Sequence, residues 1–418
     1  MTEQMVTAGA GRGSRRWALG AVGAAAAAAL VAGAVVLGPW ADNNVATSPS
    51  ASDPGASGAG VFPTVLAASE IPWDEVGPGW FLLGVDTSHT PSPIDAGPTG
   101  TVLVGPDGRV FNGPPPPAFA AWIPYWAGTD VWFAVPGVQK YEEDSGVVVA
   151  IDAISGDEHR PWNSDILPHY VRATATGEFI AFGGCCLGWR ADMAASDGLA
   201  VTEVASGSGE WGGGSLSPDG TAVVWSEVPI DEASSPLGFS EITSSTLDGD
   251  VSVVASVPGI AIPQGWLDQH TLLLEVRAVG ADWQQNQPLV GLDLTTGRTS
   301  PWSPPAEGYD WIYPLAPGLL GWDLTDSRDW VVTDGDGSPK IDLTCRGDSC
   351  YAVASGDCLM WVEATSVGPA SGAWWEYSTV DQRVTLIDLT TGVQKVIYDA
   401  PASAGYLTDV VAHAVRYD

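Results

Sequence analysis

From residue 61 onward the chain repeats one local pattern, a polar turn built on Gly, Asp or Pro followed by a short run of β-branched and aromatic residues. No long polar helix pattern interrupts it. In "LSPDGTAVVW" (216–225), Pro218 presets its own φ, Asp219 tolerates the bridge region and Gly220 takes a positive φ at little cost. Thr221 to Trp225 then suit a pleated, largely buried strand. The pattern predicts strands joined by tight turns, and the question is whether the turns keep a period.

They do. A second turn type, Asp, Thr or Ser followed by Gly, appears in "VLVGPDGRVF" (102–111), "VAIDAISGDEH" (149–159), "VTEVASGSGEW" (201–211), "STLDGDVSVV" (245–254), "VGLDLTTGRTSPW" (290–302), "VVTDGDGSPKIDL" (331–343) and "TLIDLTTGVQKVI" (385–397). Its glycines are Gly108, Gly156, Gly207, Gly249, Gly297, Gly337 and Gly392. They recur at intervals of roughly 40–55 residues, the period expected of propeller blades. Turns of the first type interleave with them, so each unit reads as an inner hairpin and then an outer hairpin. A pair of β-sandwiches would not hold such a period. The expectation is an all-β propeller over residues 61–418, with seven blades and an eighth as the alternative. The leftover strand in "YLTDVVAHAVRYD" (406–418) is expected to pair with the first blade near Trp80–Val85 and so remove an open sheet edge.

The Ser217-Pro218-Asp219-Gly220 turn with Val223-Val224-Trp225 resembles the repeat of TolB-type, WD-repeat-like bacterial propellers, and the "DLTTG" turns resemble the outer hairpin of the same group. Only one copy carries the full motif. The resemblance implies a propeller that serves as a binding platform, and no family catalytic residue carries over.

The N-terminal segment, 1–60, reads differently. Residues 1–16 carry Arg12, Arg15 and Arg16, and an uncharged run from Trp17 to Leu37 follows, with Asp42 the next charge. As a helix the run would be about 31 Å long, enough to cross a bilayer. Basic residues before the run place the N-terminus inside and the remainder outside. Segment 17–40 is therefore expected to be a transmembrane helix. A cleaved signal is the alternative, because Ala32-Gly33-Ala34 fits a small-residue cleavage site, although signal cores are usually shorter. "SRRWAL" (14–19) weakly resembles a twin-arginine signal. Residues 41–60, rich in Ser, Pro, Ala and Gly, read as a flexible stalk.

Composition narrows the partners. Sixteen Lys and Arg stand against 50 Asp and Glu, a formal net charge of −34. Such a surface repels nucleic-acid phosphates and anionic headgroups, so nucleic acid is excluded and the membrane is reached only through the N-terminal helix. The Arg-over-Lys bias with abundant Ala, Gly and Val resembles a high-G+C actinobacterial coding style.

Candidate chemistry is sparse. No G-x-S-x-G elbow occurs, "SPDGTAVVW" departs from the sialidase box at Thr221, and the five His are scattered. Asp334-Gly335-Asp336-Gly337-Ser338 starts like a calcium loop, but Pro339 and Cys345 occupy the positions that need Gly and Glu, so it reads as a hairpin turn. No cofactor is expected, and weak calcium binding by the acidic rims stays open. Five Cys in an exported chain imply disulfides and an odd thiol. Cys350 and Cys358 flank "YAVASGD" symmetrically and are expected to pair. Cys345–Cys350 is the alternative, and Cys185-Cys186 are adjacent. "CRGDSC" (345–350) holds an Arg-Gly-Asp tripeptide that reads as a polar inter-blade loop. Trp122, Trp126, Trp311, Trp374 and Trp375 stand near strand starts and long loops, where exposed aromatics would stack on sugars or partner proteins.

The functional expectation is a non-enzymatic extracytoplasmic platform that binds a protein or glycan of the cell envelope. The alternative is a secreted carbohydrate-active enzyme, hydrolase or lyase, with a converging carboxylate pair in the axial funnel. Protease added to intact protoplasts is expected to remove the propeller and leave a short membrane fragment. Full protection would overturn the topology, and a freely secreted protein beginning near Val35 would favour the cleaved signal.

Overall fold

The computed structural model describes residues 65–86, 98–118, 120–136, 146–162, 170–176, 178–183, 189–194, 201–207, 214–228, 238–278, 287–304, 309–324, 329–367, 379–400 and 406–414. The segments read as membrane helix and stalk lie outside these residues, as do Trp374, Trp375, Cys185 and Cys186. Among the described residues no helix is long and apolar enough to cross a membrane.

The strands form seven sheets. The first contains β1 (Val65–Leu66), β2 (Phe81–Asp86), β3 (Gly100–Val104) and β4 (Val110–Asn112). The second contains β5 (Trp122–Ala127), β6 (Asp130–Pro136), β7 (Gly146–Asp152) and β8 (Glu158–Trp162), and the third β9 (Tyr170–Ala173), β10 (Phe179–Gly183), β11 (Trp189–Ala194) and β12 (Val201–Gly207). The fourth has β13 (Ser215–Leu216), β14 (Ala222–Glu227), β15 (Phe239–Thr246) and β16 (Val251–Pro258). The fifth has β17 (Ile260–Trp266), β18 (Thr271–Arg277), β19 (Leu289–Asp293) and β20 (Arg298–Trp302). The sixth has β21 (Tyr309–Ala316), β22 (Leu319–Leu324), β23 (Asp329–Asp334) and β24 (Pro339–Thr344), and the seventh β25 (Ser349–Ser355), β26 (Cys358–Val367), β27 (Thr379–Asp388) and β28 (Gln394–Ala400). The last strand, β29 (Tyr406–Ala412), returns to the first sheet, whose order is β29-β2-β3-β4-β1. Blades 2 to 7 are each a four-stranded antiparallel meander.

First strands meet around the axis, with β29 against β5 and β25, β5 against β9, and β21 against β17 and β25. The architecture is thus a seven-bladed propeller, closed by the C-terminal strand as the leftover apolar run predicts. Seven buried clusters account for its cohesion, one at each blade junction. Second strands are buried on both faces, as in Leu272, Leu273 and Leu274, because each lies between two neighbouring blades. Outer strands such as β20 face water. Aromatic wedges fill the wider gaps: Trp302 stacks on Trp322 at 5.2 Å between blades 5 and 6, and Trp330 meets Trp361 edge-on at 5.1 Å between blades 6 and 7.

Strand direction sorts the connections onto two rims. One rim carries the tight turns between first and second and between third and fourth strands. The other carries the second-to-third connections, which are longer than the turns in blades 1, 2, 4, 5 and 7, and every link between blades. These are the turn rim and the loop rim.

Three local expectations need correction. Gly207 ends outer strand β12, which pairs with β11, and is not a turn residue. A fifth strand, β1, pairs parallel to the outside of β4 and covers that edge. The disulfide joins Cys345 to Cys350, and Cys358 is a buried free thiol. The hairpin is centred on Gly356-Asp357, so Cys358 opposes Ser355 while Cys350 opposes Glu363. The symmetry of "YAVASGD" is therefore offset from the real turn. The link between blades does not run straight across either. It doubles back along β26, where the Arg346 amide donates to Glu363 Oε1 at 2.9 Å and the Asp348 amide to the Ala364 carbonyl at 2.7 Å. That reversal brings the two Cα atoms to 5.9 Å. Gly347 is pressed between them, since a Cβ there would lie 2.4 Å from the Ala364 carbonyl oxygen.

Two outcomes follow from this architecture. Non-reducing peptide mapping is expected to recover a Cys345–Cys350 peptide, with Cys358 alkylated only after denaturation; a Cys350–Cys358 peptide would refute the register. Deleting residues 406–418 strips Leu407 and Val410 from the junction of blades 7 and 1, each such side chain contributing about 1.5–3 kcal/mol by burial. The truncated protein is expected to aggregate or lose cooperative melting, and a melt like the parent's would refute closure by β29.

Candidate functional site

The turn rim is built from one device used repeatedly. Asp219 Oδ1 accepts the Ser217 hydroxyl at 2.5 Å, the Thr221 hydroxyl at 2.9 Å and the Thr221 amide at 3.2 Å, while Gly220 takes φ +69°. Asp152 accepts the amides of Ile154 and Ser155 and the Thr129 hydroxyl. In the "DLTTG" turns, Asp293 accepts the amides of Thr295 and Thr296, and Asp388 those of Thr390 and Thr391. Hydrogen bonds led by the Ser155 amide hold the Asp152 carboxyl below the usual range, and those led by the Thr391 amide do so for Asp388. For Asp219 partial burial pushes the other way, and the bonds from Ser217 and Thr221 outweigh it. These carboxylates are saturated by local donors, so the repeat-motif residues Ser217, Pro218, Asp219 and Gly220 are turn architecture. The calcium-like stretch is such a turn as well: Asp336 accepts the Ser338 amide, and Lys340 pairs with Asp334 at 3.2 Å. Among the described residues no three His, Cys, Asp or Glu side chains gather as a metal site.

The loop rim holds the candidate contact groups. Trp311 lies near the start of inner strand β21 and is 52% exposed, the largest exposed aromatic among the described residues. Trp122 begins inner strand β5 and is half-buried. Trp126 leaves the candidate set. It is fully buried at the junction of blades 1 and 2, donates to the Gly128 carbonyl at 3.1 Å and meets the His413 ring edge-on at 4.9 Å. Its place further along β5 puts it at the opposite rim from Trp122, a distinction that proximity in sequence hides.

A polar cluster stands near the same rim on blade 5. Glu275 accepts both the Arg277 Nε–H and the Arg277 Nη2–H at 2.7 Å, and Gln264 donates to its other oxygen at 3.1 Å. Both charged side chains are nearly buried, at 11% and 12% exposure. Beside them, Tyr309 of blade 6 donates to the Gln287 carbonyl; burial first, then the Glu275 charge, raises its phenol above the usual range. In the blade 7 link, Arg346 and Asp348 face solvent on either side of buried Gly347.

One ionisable group escaped the sequence reading. Asp409, in the middle of closing strand β29, is 9% exposed, and burial pushes its carboxyl up to about 7. It is the one carboxyl raised in this way among the described residues, and burial rather than a second carboxylate is the cause. The available signal was an acid inside an otherwise apolar run, "LTDVVA".

No protein-family model matches the chain, and no curated protein matches it. Solved structures do, all at low identity. TolB from Acinetobacter baumannii is 13% identical over 80% of this chain and 66% of its own, with a TM-score of 0.38. The β-propeller domain of the Trilobed protease from Pyrococcus furiosus is 11% identical over 72% of this chain and 90% of its own, at 0.46. Oligogalacturonate lyase from Vibrio parahaemolyticus is 10% identical over 77% of this chain and 86% of its own, also at 0.46. From its own strand order, the chain is a seven-bladed β-propeller.

Proposed function

We propose that the protein is a non-enzymatic extracytoplasmic platform, held at the membrane by segment 17–40, that binds a protein or glycan of the cell envelope through its loop rim. The observation that carries this reading is the division of labour between the rims. The turn rim spends its polar groups on its own turns. The loop rim gathers the long connections and every inter-blade link, and it exposes Trp311 on a rigid inner strand. An aromatic face fixed by a β-ladder offers large contact area at little loss of conformational freedom, which suits stacking on a sugar ring or an apolar side chain.

A hydrolytic reading asks for two carboxylates held apart in ionisation, one of them raised by its surroundings. The raised carboxyl here, Asp409, is closed in at a blade junction and takes its shift from burial. That favours binding over turnover. The test is a pull-down from envelope extracts with residues 61–418 as bait, with Trp311→Ala beside it. The expected result is a specific captured protein or glycan whose retention falls at least tenfold in the variant while the melting temperature holds. Retention unchanged by Trp311→Ala would remove this rim position from the reading, and hydrolysis or cleavage of the captured glycan would replace the platform with the enzyme.

A further inference from the structure

The strand that closes the ring carries a group that closure alone does not require. In β29, Leu407 and Val410 pack into the junction with blade 7, and Val411 packs toward blade 2. Asp409 lies between them, opposite Gly84 of β2, at a bulge where Thr408 has no partner in the ladder. Gly84 gives the carboxyl its room: a Cβ there would stand 3.0 Å from Asp409 Oδ2 and 2.6 Å from Thr408 Oγ1. The Ile123 amide of β5, the inner strand of blade 2, donates to the carboxyl. The Thr408 hydroxyl lies close enough to favour the ionised form but stops short of a well-formed hydrogen bond, Oδ2 has no hydrogen-bond partner, and burial outweighs both neighbours. The carboxyl therefore spans the seam between blades 1 and 2 with a single firm donor.

We propose that Asp409 makes closure of the ring proton-dependent, the neutral acid sealing β29 against blade 2 and the carboxylate loosening that seam. An ionised carboxylate with one backbone donor in an apolar junction is costly, whereas the neutral acid is tolerated there. The groups facing it sharpen this. β2 faces it with Gly84, and β5 offers its Ile123 amide. β25 offers Tyr351, a fully buried phenol that burial and then the Asp409 charge keep protonated. No cation among the described residues steadies the carboxylate. His413 lies further along the chain, past the end of β29, where its Nε2 accepts the Gly128 amide at 2.8 Å. That contact needs an unprotonated nitrogen, so it gives the seam no reason to loosen at high pH.

The sign follows from linkage. With the folded carboxyl at about 7 and the ordinary value at 3.8, the folded state holds the proton more tightly. Stability at this seam is therefore greatest at low pH and is lost as pH rises from about 4 through about 7. The experiment is hydrogen exchange on the full chain at pH 5.5 and 8.5, corrected for intrinsic rates. Amides of 81–86 and 406–412 are expected to lose about thirtyfold in protection, the equivalent of about 1.5 pH units of linkage, while strands β14 and β15 of blade 4 hold theirs. Asp409→Asn is expected to abolish the difference. The proposal is overturned if the wild-type seam shows no loss, if blade 4 loses as much, or if Asp409→Asn keeps the loss. Should that variant fail to fold, the comparison between seam and blade 4 in the wild type decides alone.

Discussion

The structure depends on one non-local pairing, β29 against β2, which joins residues 81–86 to residues 406–412. Without it blade 1 would lack its inner strand, β5 and β25 would lose the neighbour between them, and two of the seven apolar junctions would open. A meander of hairpins is otherwise a chain of local contacts. Pairing the ends turns the row of blades into a ring in which each blade is clamped on both sides, the arrangement that couples otherwise quasi-independent units. The turn rim reinforces the same closure: Gly79 donates to the Ser355 hydroxyl of blade 7 at 2.9 Å, and Ala414 to the Trp126 carbonyl of blade 2 at 2.9 Å.

That constraint also explains where polar groups can be used. Inner strands are sheet edges facing the axis, so Pro124, Pro263 and Pro314 sit there without removing a needed ladder donor. On the second strands, closed on both faces, Glu275 is paired with Arg277 and Gln264, and Glu363 takes the Arg346 amide. Asp409 has no cation beside it among the described residues, and it lies in the inner strand on which closure depends. The acidic turn residues bind their own backbone donors, so the turn rim exposes apolar side chains such as Ile154 and Val393, while the loop rim exposes Trp311.

Much of the fold was legible from residue type and spacing. Turn chemistry at Ser217–Gly220 and the "DLTTG" hairpins marked inner and outer turns because Asp, Gly and Pro act through local backbone geometry. The apolar second strands followed from burial on two faces, and the unpartnered run 406–412 followed from counting hairpins. The candidate site was less legible. Trp122 and Trp126 read alike in sequence, yet one edges the loop rim and the other is sealed at a junction with His413.

The sequence by itself determined the all-β class and the period, which rest on local turn preference, and it pointed to seven blades with a closing strand while leaving an eighth blade as the alternative that the strand pairing then excluded. It also carries the Arg-flanked apolar segment and the acidic surface that frame the proposed location. Only the tertiary structure decided the rest. The disulfide partner of Cys350 turned on a hairpin centre displaced to Gly356-Asp357 and on a link that reverses along β26. The raised carboxyl of Asp409 turned on Gly84 and Ile123, residues from the far end of the sequence that the closing strand brings beside it. Side-chain chemistry of that kind depends on which distant atoms exclude water from a group, and no local pattern encodes it.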